Sequence, residues 1–210
     1  MEGITTNLSR SNLEKVENAA INSSPVMGYT HTFYRYPARF SPQFAREVIK
    51  SLTEPGELIL DPFMGGGTTL VEAMALGRRA IGTDISSLAT FISKVKTSLL
   101  TKKDRKCLDE WISNVPNLIK LNRTTNYSSA IHGIEYQKNL DNKQAWRIRK
   151  GIELGLESLQ LLKNKKQEQF ARCVLLKTSQ WALDGKKEIP SIESFRNSMC
   201  NPPIFSCPKK

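Results

Sequence analysis

The chain has 210 residues, an apolar share of 39% and 31 Lys and Arg against 20 Asp and Glu, enough for one domain with a small appendage and too apolar for a disordered chain. No apolar run approaches the ~20 residues of a membrane span, and the opening "MEGITTNLSRSNLEKVENAAINSSP" holds no signal-peptide core, so a cytoplasmic protein with no membrane partner is expected. The charge is lopsided: residues 1–100 carry 10 Lys and Arg against 9 Asp and Glu, whereas residues 101–210 carry 21 against 11, which fits either a polyanion partner such as DNA or RNA or a solvated lysine-rich helical surface.

Residues 1–27 read as a loosely ordered lead with one helix from Ser11, capped by the Ser11–Glu14 spacing and presenting Leu13, Val16 and Ala20. "HTFYRYPARFSP" is aromatic and broken by Pro37 and Pro42, so it is not a regular helix. From Pro42 a helix is predicted, with Phe44, Val48, Ile49 and Leu52 as its apolar stripe and Pro55-Gly56 as its stop. "ELILDPF" reads as a buried parallel strand, and a glycine turn follows it. Thr69 and Glu72 have capping-box spacing for the next helix, and Gly77 suits its C-terminal end. "AIGTDI" is a second strand, which makes a strand, glycine turn, helix, strand unit in about thirty residues. The helix "LATFISKVKTSLL" comes next.

Beyond Thr101 no strand is predicted. A helix broken at Pro116 leads to a polar loop. Two more helices are predicted near 144–163, presenting Trp146, Ile152, Leu156, Leu159 and Leu162, and near 167–182, presenting Phe170, Val174, Leu175 and Trp181. Both tryptophans are read as core. The cysteines Cys107, Cys173, Cys200 and Cys207 match no zinc spacing, so no metal is expected. Neither His31 nor His132 shows a partner for acid–base work.

The glycine turn carries the chemistry. A P-loop needs a lysine in the turn, and none is there; a dinucleotide fingerprint needs a third glycine where Leu70 stands, and its pyrophosphate would be repelled by Asp61. S-adenosyl-L-methionine suits the pattern better, because it is a cation carrying a free amino acid and has no phosphate. Asp61 can accept from its ammonium, the helix start at Thr68 and Thr69 can meet its carboxylate, and Asp84 suits the ribose hydroxyls.

"DPFMGGGTTLVEA" closely resembles motif I of the DNA amino-methyltransferases, which modify the exocyclic nitrogen of adenine (N6) or cytosine (N4). "HTFYRYPARFSP" looks like their motif X, and "GTDISSLATFISKVKT" is similar to the segment after motif I, so the resemblance spans roughly His31 to Leu99. It implies a partial Rossmann-like α/β methyltransferase fold with a C-terminal helical segment. It assigns cofactor contacts to Tyr36, Ala38, Phe40, Asp61, Pro62, Phe63, Gly65, Gly67, Thr68, Thr69 and Asp84. The family's catalytic motif, Asp/Asn/Ser-Pro-Pro-Tyr/Phe, uses oxygen acceptors to stabilise the attacking amine and an aromatic ring to stack on a flipped base. Its counterpart here is Asn201-Pro202-Pro203, followed by Ile204 where the aromatic residue belongs, with Phe205 out of register.

The expected layout is a lead at 1–27, an S-adenosylmethionine-binding α/β part at 28–100, a basic helical segment at 101–200 and a tail at 201–210. The expected chain is truncated or half of a split enzyme, with DNA and a second polypeptide carrying the catalytic half as partners. The basic segment occupies the place of target-recognition material, with Lys102, Lys103, Arg105, Lys106, Arg147, Arg149 and Lys150, then Lys163, Lys165 and Lys166, as phosphate contacts. An RNA N-methyltransferase and a catalytically silent nucleic-acid-binding fragment remain as alternatives. Adenine and cytosine are both open as targets.

Overall fold

The structure, a computed structural model, describes residues 9–22, 26–37, 41–122, 145–184 and 188–200. The described residues form α-helices and one small two-stranded parallel sheet, in two compact units that part between Ser98 and Leu99.

In the first unit, helix α1 (Arg10–Ile21) begins at Ser9, whose hydroxyl accepts the Asn12 N–H at 3.2 Å. The expected cap at Ser11 is therefore corrected by two residues, and Glu14 faces Arg10 at 3.5 Å instead. Only Ala19 of α1 is buried, while Leu13 and Ala20 are exposed, because the helix meets its neighbour α2 along a narrow strip. Helix α2 (Pro42–Leu52) buries Pro42, Ala45 and Ile49 and leaves Leu52 exposed, so its apolar face is rotated from the expected one. It touches both α1 and α3, and close helix packing favours the small Ala45 over the bulkier Phe44.

Strands β1 (Leu58–Asp61) and β2 (Arg79–Gly82) pair in parallel, Leu58 opposite Arg79 through Asp61 opposite Gly82. Helix α3 (Thr68–Ala75) connects them, and Gly77 at φ +73° follows its end, as expected of a glycine stop. The strands are not buried on both faces. In this register Leu58, Leu60, Arg79 and Ile81 share one face, and its three apolar residues are 53%, 65% and 51% exposed. The other face is covered by α3: a Cβ on Gly82 would lie 2.5 Å from Met64 Sδ and 2.8 Å from Leu70. Parallel sheets normally have both faces covered; here the helices of the unit cover one. Helix α4 (Ser87–Thr97), capped by the Ser86 hydroxyl on Ala89 N–H, packs on α3.

In the second unit, α5 (Lys102–Leu118), α6 (Trp146–Ser158), α7 (Lys165–Leu183) and α8 (Ile192–Cys200) each touch the other three. A 3-10 turn, Leu159–Leu161, extends α6. The core is apolar, with Leu108, Ile148, Leu154, Phe170, Phe195 and Met199 buried. Trp111 is buried too, and its indole N–H donates to Ser158 Oγ at 3.1 Å, which donates on to the Gly155 carbonyl at 2.6 Å. Helix α5 starts with a full capping box between Thr101 and Asp104.

Three expectations are corrected here. Pro116 does not break α5, because it sits in the last turn. The Ile112 carbonyl, which a residue with an N–H at 116 would have bonded, accepts the Cys200 thiol at 3.9 Å. Helix α6 turns Ile148, Gly151, Leu154 and Gly155 inward, not the face of Ile152 and Leu156; without Cβ atoms, Gly151 and Gly155 admit Ile192 and Leu175 against the backbone. Trp146 and Trp181 are 44% and 40% exposed, so neither is a core residue, and the Arg147 guanidinium lies 5.0 Å from the Trp146 ring. Among the described residues the second unit contains no strand, as expected.

Candidate functional site

The strand order places Asp61 and Asp84 at the C-terminal ends of two neighbouring parallel strands, with the glycine turn between strand and helix beside them. The ladder continues past the strands: Thr83 N–H donates to the Asp61 carbonyl at 3.0 Å, and Met64 N–H to the Thr83 carbonyl at 3.1 Å. Met64 to Gly67 is then a tight turn, closed by Gly67 N–H on the Met64 carbonyl at 2.7 Å. Gly65 (φ +48°) and Gly67 (φ +75°) occupy left-handed conformations that a Cβ disfavours. Gly67 is also crowded, since a Cβ there would lie 2.5 Å from Ser93 Oγ.

Each acid is engaged locally. Asp61 Oδ1 accepts Phe63 N–H at 3.1 Å. Asp84 Oδ2 accepts Gly65 N–H at 2.9 Å and its Oδ1 accepts Ser86 N–H at 2.8 Å. Asp84 thus closes the glycine turn onto β2, a role the sequence reading did not give it. A carboxylate has about four acceptor positions, so both acids keep capacity for further donors. Phe63 and Ile85 beside them are almost wholly exposed, at 86% and 105%.

Helix α3 opens directly from the turn with Gly67 at its N-cap, without a side-chain cap and without an acidic residue in its first turn. Its first amides are donors aimed at the turn, and the helix dipole adds positive potential there. An amino-acid carboxylate fits such an end, and an ammonium or sulfonium fits the flanking acids. The residues present therefore match the donor and acceptor set of S-adenosylmethionine. Thr68 is buried and Thr69 half-buried in that first turn. Tyr36 packs on the turn, 3.5 Å from where a Gly65 Cβ would stand; its Cβ lies 2.9 Å from the same position on Gly66. The Pro62 carbonyl accepts the Thr83 hydroxyl at 3.0 Å. Tyr36, Asp61, Pro62, Phe63, Gly65, Gly67, Thr68, Thr69 and Asp84 thus surround one corner of the first unit. Ala38 and Phe40 lie outside the described residues, as do Asn201, Pro202 and Pro203.

A family model described as DNA methylase matches residues 5–95. This stretch is thus similar to the DNA methylases. The chain is 34% identical to the type II methyltransferase M.MjaII of Methanocaldococcus jannaschii over 54% of its own length and 20% of that protein. It is 36% identical to the type II methyltransferase M.MvaI of Kocuria varians over 64% of its own length and 29% of that protein. A shorter match, 45% identical, covers 24% of the chain and 15% of a tRNA (guanine(10)-N2)-dimethyltransferase of Methanothermobacter thermautotrophicus. The chain thus spans less than a third of the length of each of these relatives. No solved structure matches it.

Within the matched stretch, the structure adds residues that sequence reasoning missed. Glu72 is fully buried and does not cap α3, which corrects the capping-box reading of Thr69 and Glu72: α3 already begins at Thr68. Glu72 instead accepts from His31 Nε2 at 2.8 Å and from Arg46 Nε at 2.7 Å, so His31 does have an ionisable partner. Burial pushes the Glu72 carboxyl up, and the bonds from His31 and Arg46 reverse this, leaving it below the ordinary glutamate range. The bond to Glu72 raises Arg46 above its ordinary value. Glu72 thereby pins the aromatic segment and α2 to the helix that follows the turn. From α4, Ser93 Oγ donates to the Gly65 carbonyl at 3.1 Å and the buried Lys96 Nζ to the Gly66 carbonyl at 2.7 Å. The Thr30 hydroxyl donates to the Lys96 carbonyl at 2.9 Å. One signal was available for Lys96: it continues the inward face of Ala89, Ile92 and Val95 where a helix of this kind would place another apolar residue.

The basic residues of the second unit are interleaved with acids. Lys102, Arg105 and Lys106 share one face of α5 with Asp109 and Glu110, and Lys103 is exposed beside them. Arg147 stacks on Trp146, Arg149 lies 3.8 Å from Glu153 and Lys150 is half-buried. Lys165 pairs with Glu168 at 3.1 Å and Lys166 with Asp104 at 3.2 Å, whereas Lys163 is exposed. Bonds from Gln167 and Thr101 hold the Asp104 carboxyl well below the usual carboxylate range. No helix among the described residues is long and apolar enough to cross a membrane.

Proposed function

We propose that this chain carries the S-adenosylmethionine-binding part of a DNA amino-methyltransferase of restriction–modification type, with a Rossmann-like fold that the two strands begin. Residues 28–100 form the cofactor part and residues 101–200 the basic segment that meets DNA. The reading rests above all on one observation: two acids at adjacent parallel strand ends flank a glycine turn that opens an uncapped helix. S-adenosylmethionine, when bound, would supply an electrophilic methyl group for the exocyclic nitrogen of adenine or cytosine, with S-adenosylhomocysteine as the leaving group and the amine proton released to solvent. In this reading Asp61, Thr68 and Thr69 hold the amino-acid end of the cofactor, and Asp84 positions the turn and faces the ribose. The acceptors for the amine come from Asn201-Pro202-Pro203 or from a second polypeptide carrying the catalytic half.

The test is ultraviolet crosslinking of methyl-tritiated S-adenosylmethionine to the full chain. The wild type is expected to be labelled, and Asp61→Ala and Gly67→Val to lose most of the label. Equal labelling of all three would overturn the proposal. The chain alone is expected not to methylate duplex DNA, and sustained turnover by it would make Asn201 the amine acceptor. The 45% identity to a tRNA methyltransferase favours a second reading, an RNA N-methyltransferase built on the same turn. Methyl transfer to RNA in preference to DNA would select it.

A further inference from the structure

Lys96 is among the largest side chains fully removed from solvent in this protein, at 1% exposure. Removing an ammonium from water costs several kcal/mol unless it is well bonded, and a methionine would fill the same volume without that cost. The ammonium donates to the Gly66 carbonyl at 2.7 Å, three residues along α4 from the hydroxyl that donates to the Gly65 carbonyl. A trans peptide points its N–H opposite to its C=O. Because Ser93 draws the Gly65 carbonyl toward α4, the Gly66 N–H faces away from α4. Because Lys96 draws the Gly66 carbonyl the same way, the next N–H, of Gly67, is turned to the Met64 carbonyl that closes the turn. The two α4 side chains therefore fix both peptide planes of the glycine turn. The same lysine is tied through its own carbonyl to Thr30, in the segment that carries Tyr36, and Tyr36 Cβ and Lys96 Nζ lie 2.9 and 3.5 Å from where a Gly66 Cβ would stand.

We propose that Lys96 is a positioning residue of the glycine turn: its buried ammonium sets the peptide planes at Gly65–Gly67 and places a fixed positive charge behind them, which favours the carboxylate of a bound amino acid. The carboxylate clause rests on the cofactor reading above; the turn-setting clause does not.

Hydrogen exchange followed by mass spectrometry on the full chain tests the first clause. In Lys96→Met, exchange in the 62–69 segment is expected to rise about tenfold, the loss of one charge-assisted bond, while β1, β2 and the second unit stay unchanged. Lys96→Arg is expected to fall between. Should Lys96→Met not fold, Ser93→Ala reads the same turn with the ammonium in place and is expected to speed exchange at Gly66. Unchanged exchange in the turn, or a rise spread evenly over α3 and α4, would mean that Lys96 is filler and would overturn the proposal. The second clause is tested by binding S-adenosylhomocysteine and 5′-methylthioadenosine, which differ in the amino-acid part. Lys96→Met is expected to weaken the first about tenfold and leave the second unchanged; equal weakening of both overturns the clause. A wild type that binds neither ligand refutes the cofactor reading and, with it, the carboxylate clause, while the exchange result still decides the turn.

Discussion

Among the largest side chains fully removed from solvent, the ionisable ones all lie in the first unit and the apolar ones, Ile92 apart, in the second. In the first, Lys96, Glu72 and His31 are among the side chains most completely removed from solvent, while Leu58, Leu60, Phe63, Ile81 and Ile85 stand in water. In the second, the fully buried side chains are Phe195, Phe170, Leu108, Ile148, Leu154 and their like, and most charges lie outside or pair with each other. The second unit is stabilised by apolar burial among its own helices. The first holds its geometry around the glycine turn with a few bonded polar groups, and leaves apolar surface uncovered. Damage should therefore act through polar pins in the first unit and through packing in the second.

The largest effect expected from breaking a pin is at Glu72. Glu72→Gln keeps the shape but removes the charge that meets Arg46 and His31. Breaking a buried pair by removing one partner costs about 3–5 kcal/mol, and the lower end is expected because Arg46 is one-third exposed. Hydrogen exchange should show the loss in α2 and α3 and none in α5 to α8. A cost below about 1 kcal/mol, in the range of a surface pair, would contradict the contrast between the units.

Gly67→Ala comes next. A left-handed conformation costs an alanine about 1–2 kcal/mol, and the crowding against Ser93 adds to it. A total of about 2 kcal/mol is expected, with Ser93→Gly in the same chain recovering the crowding share. If the double variant is no more stable than Gly67→Ala alone, Ser93 does not press on the turn.

A smaller effect, confined to acid, separates the pins of the two units. Glu72 and Asp104 both have carboxyls held below their ordinary values, the first by His31 and Arg46 against the opposing pull of burial, the second chiefly by Gln167 and Thr101. A depressed carboxyl contributes stability above its unfolded pKa of about 4, and that stability is lost as pH falls through the folded value. Acid should thus weaken both units below about pH 4. Asp104→Asn should make the second unit less stable at neutral pH, yet with a shallower decline in acid, followed through Trp111 fluorescence. An unaltered acid slope would show that Asp104 is not the sensitive group.

The turn was legible in the sequence because its signals are local: Gly65 and Gly67 where positive φ is needed, Gly77 at the helix stop, and Asp61 and Asp84 at the ends of two short apolar runs. The pins were not. Thr69 and Glu72 have the spacing of a capping box whether or not they form one, and the partners of Glu72 lie 26 and 41 positions away. Nor does "ELILDPF" tell a strand covered on both faces from one covered on a single face, since Leu58, Ile59 and Leu60 are all apolar. Pro116 misled for a related reason: the thiol that meets the freed Ile112 carbonyl comes from Cys200, 88 positions on.

The smallest expected effect tests the uncovered face itself. Leu60 is 65% exposed on β1, and its strand bonds run through the backbone, which a substitution leaves in place. Leu60→Lys should change stability by no more than about 0.5 kcal/mol, the range of surface substitutions. It should also raise the soluble fraction, because it breaks an apolar patch that runs from Leu58 to Ile81. Leu154→Lys, at a position 1% exposed in the second unit, puts an unpaired charge into an apolar core and should unfold that unit. Thermal melting of the two variants sets the contrast on one scale. A Leu60→Lys chain that melts as badly as Leu154→Lys would mean that Leu60 is packed in the folded protein and that this face of the sheet is covered.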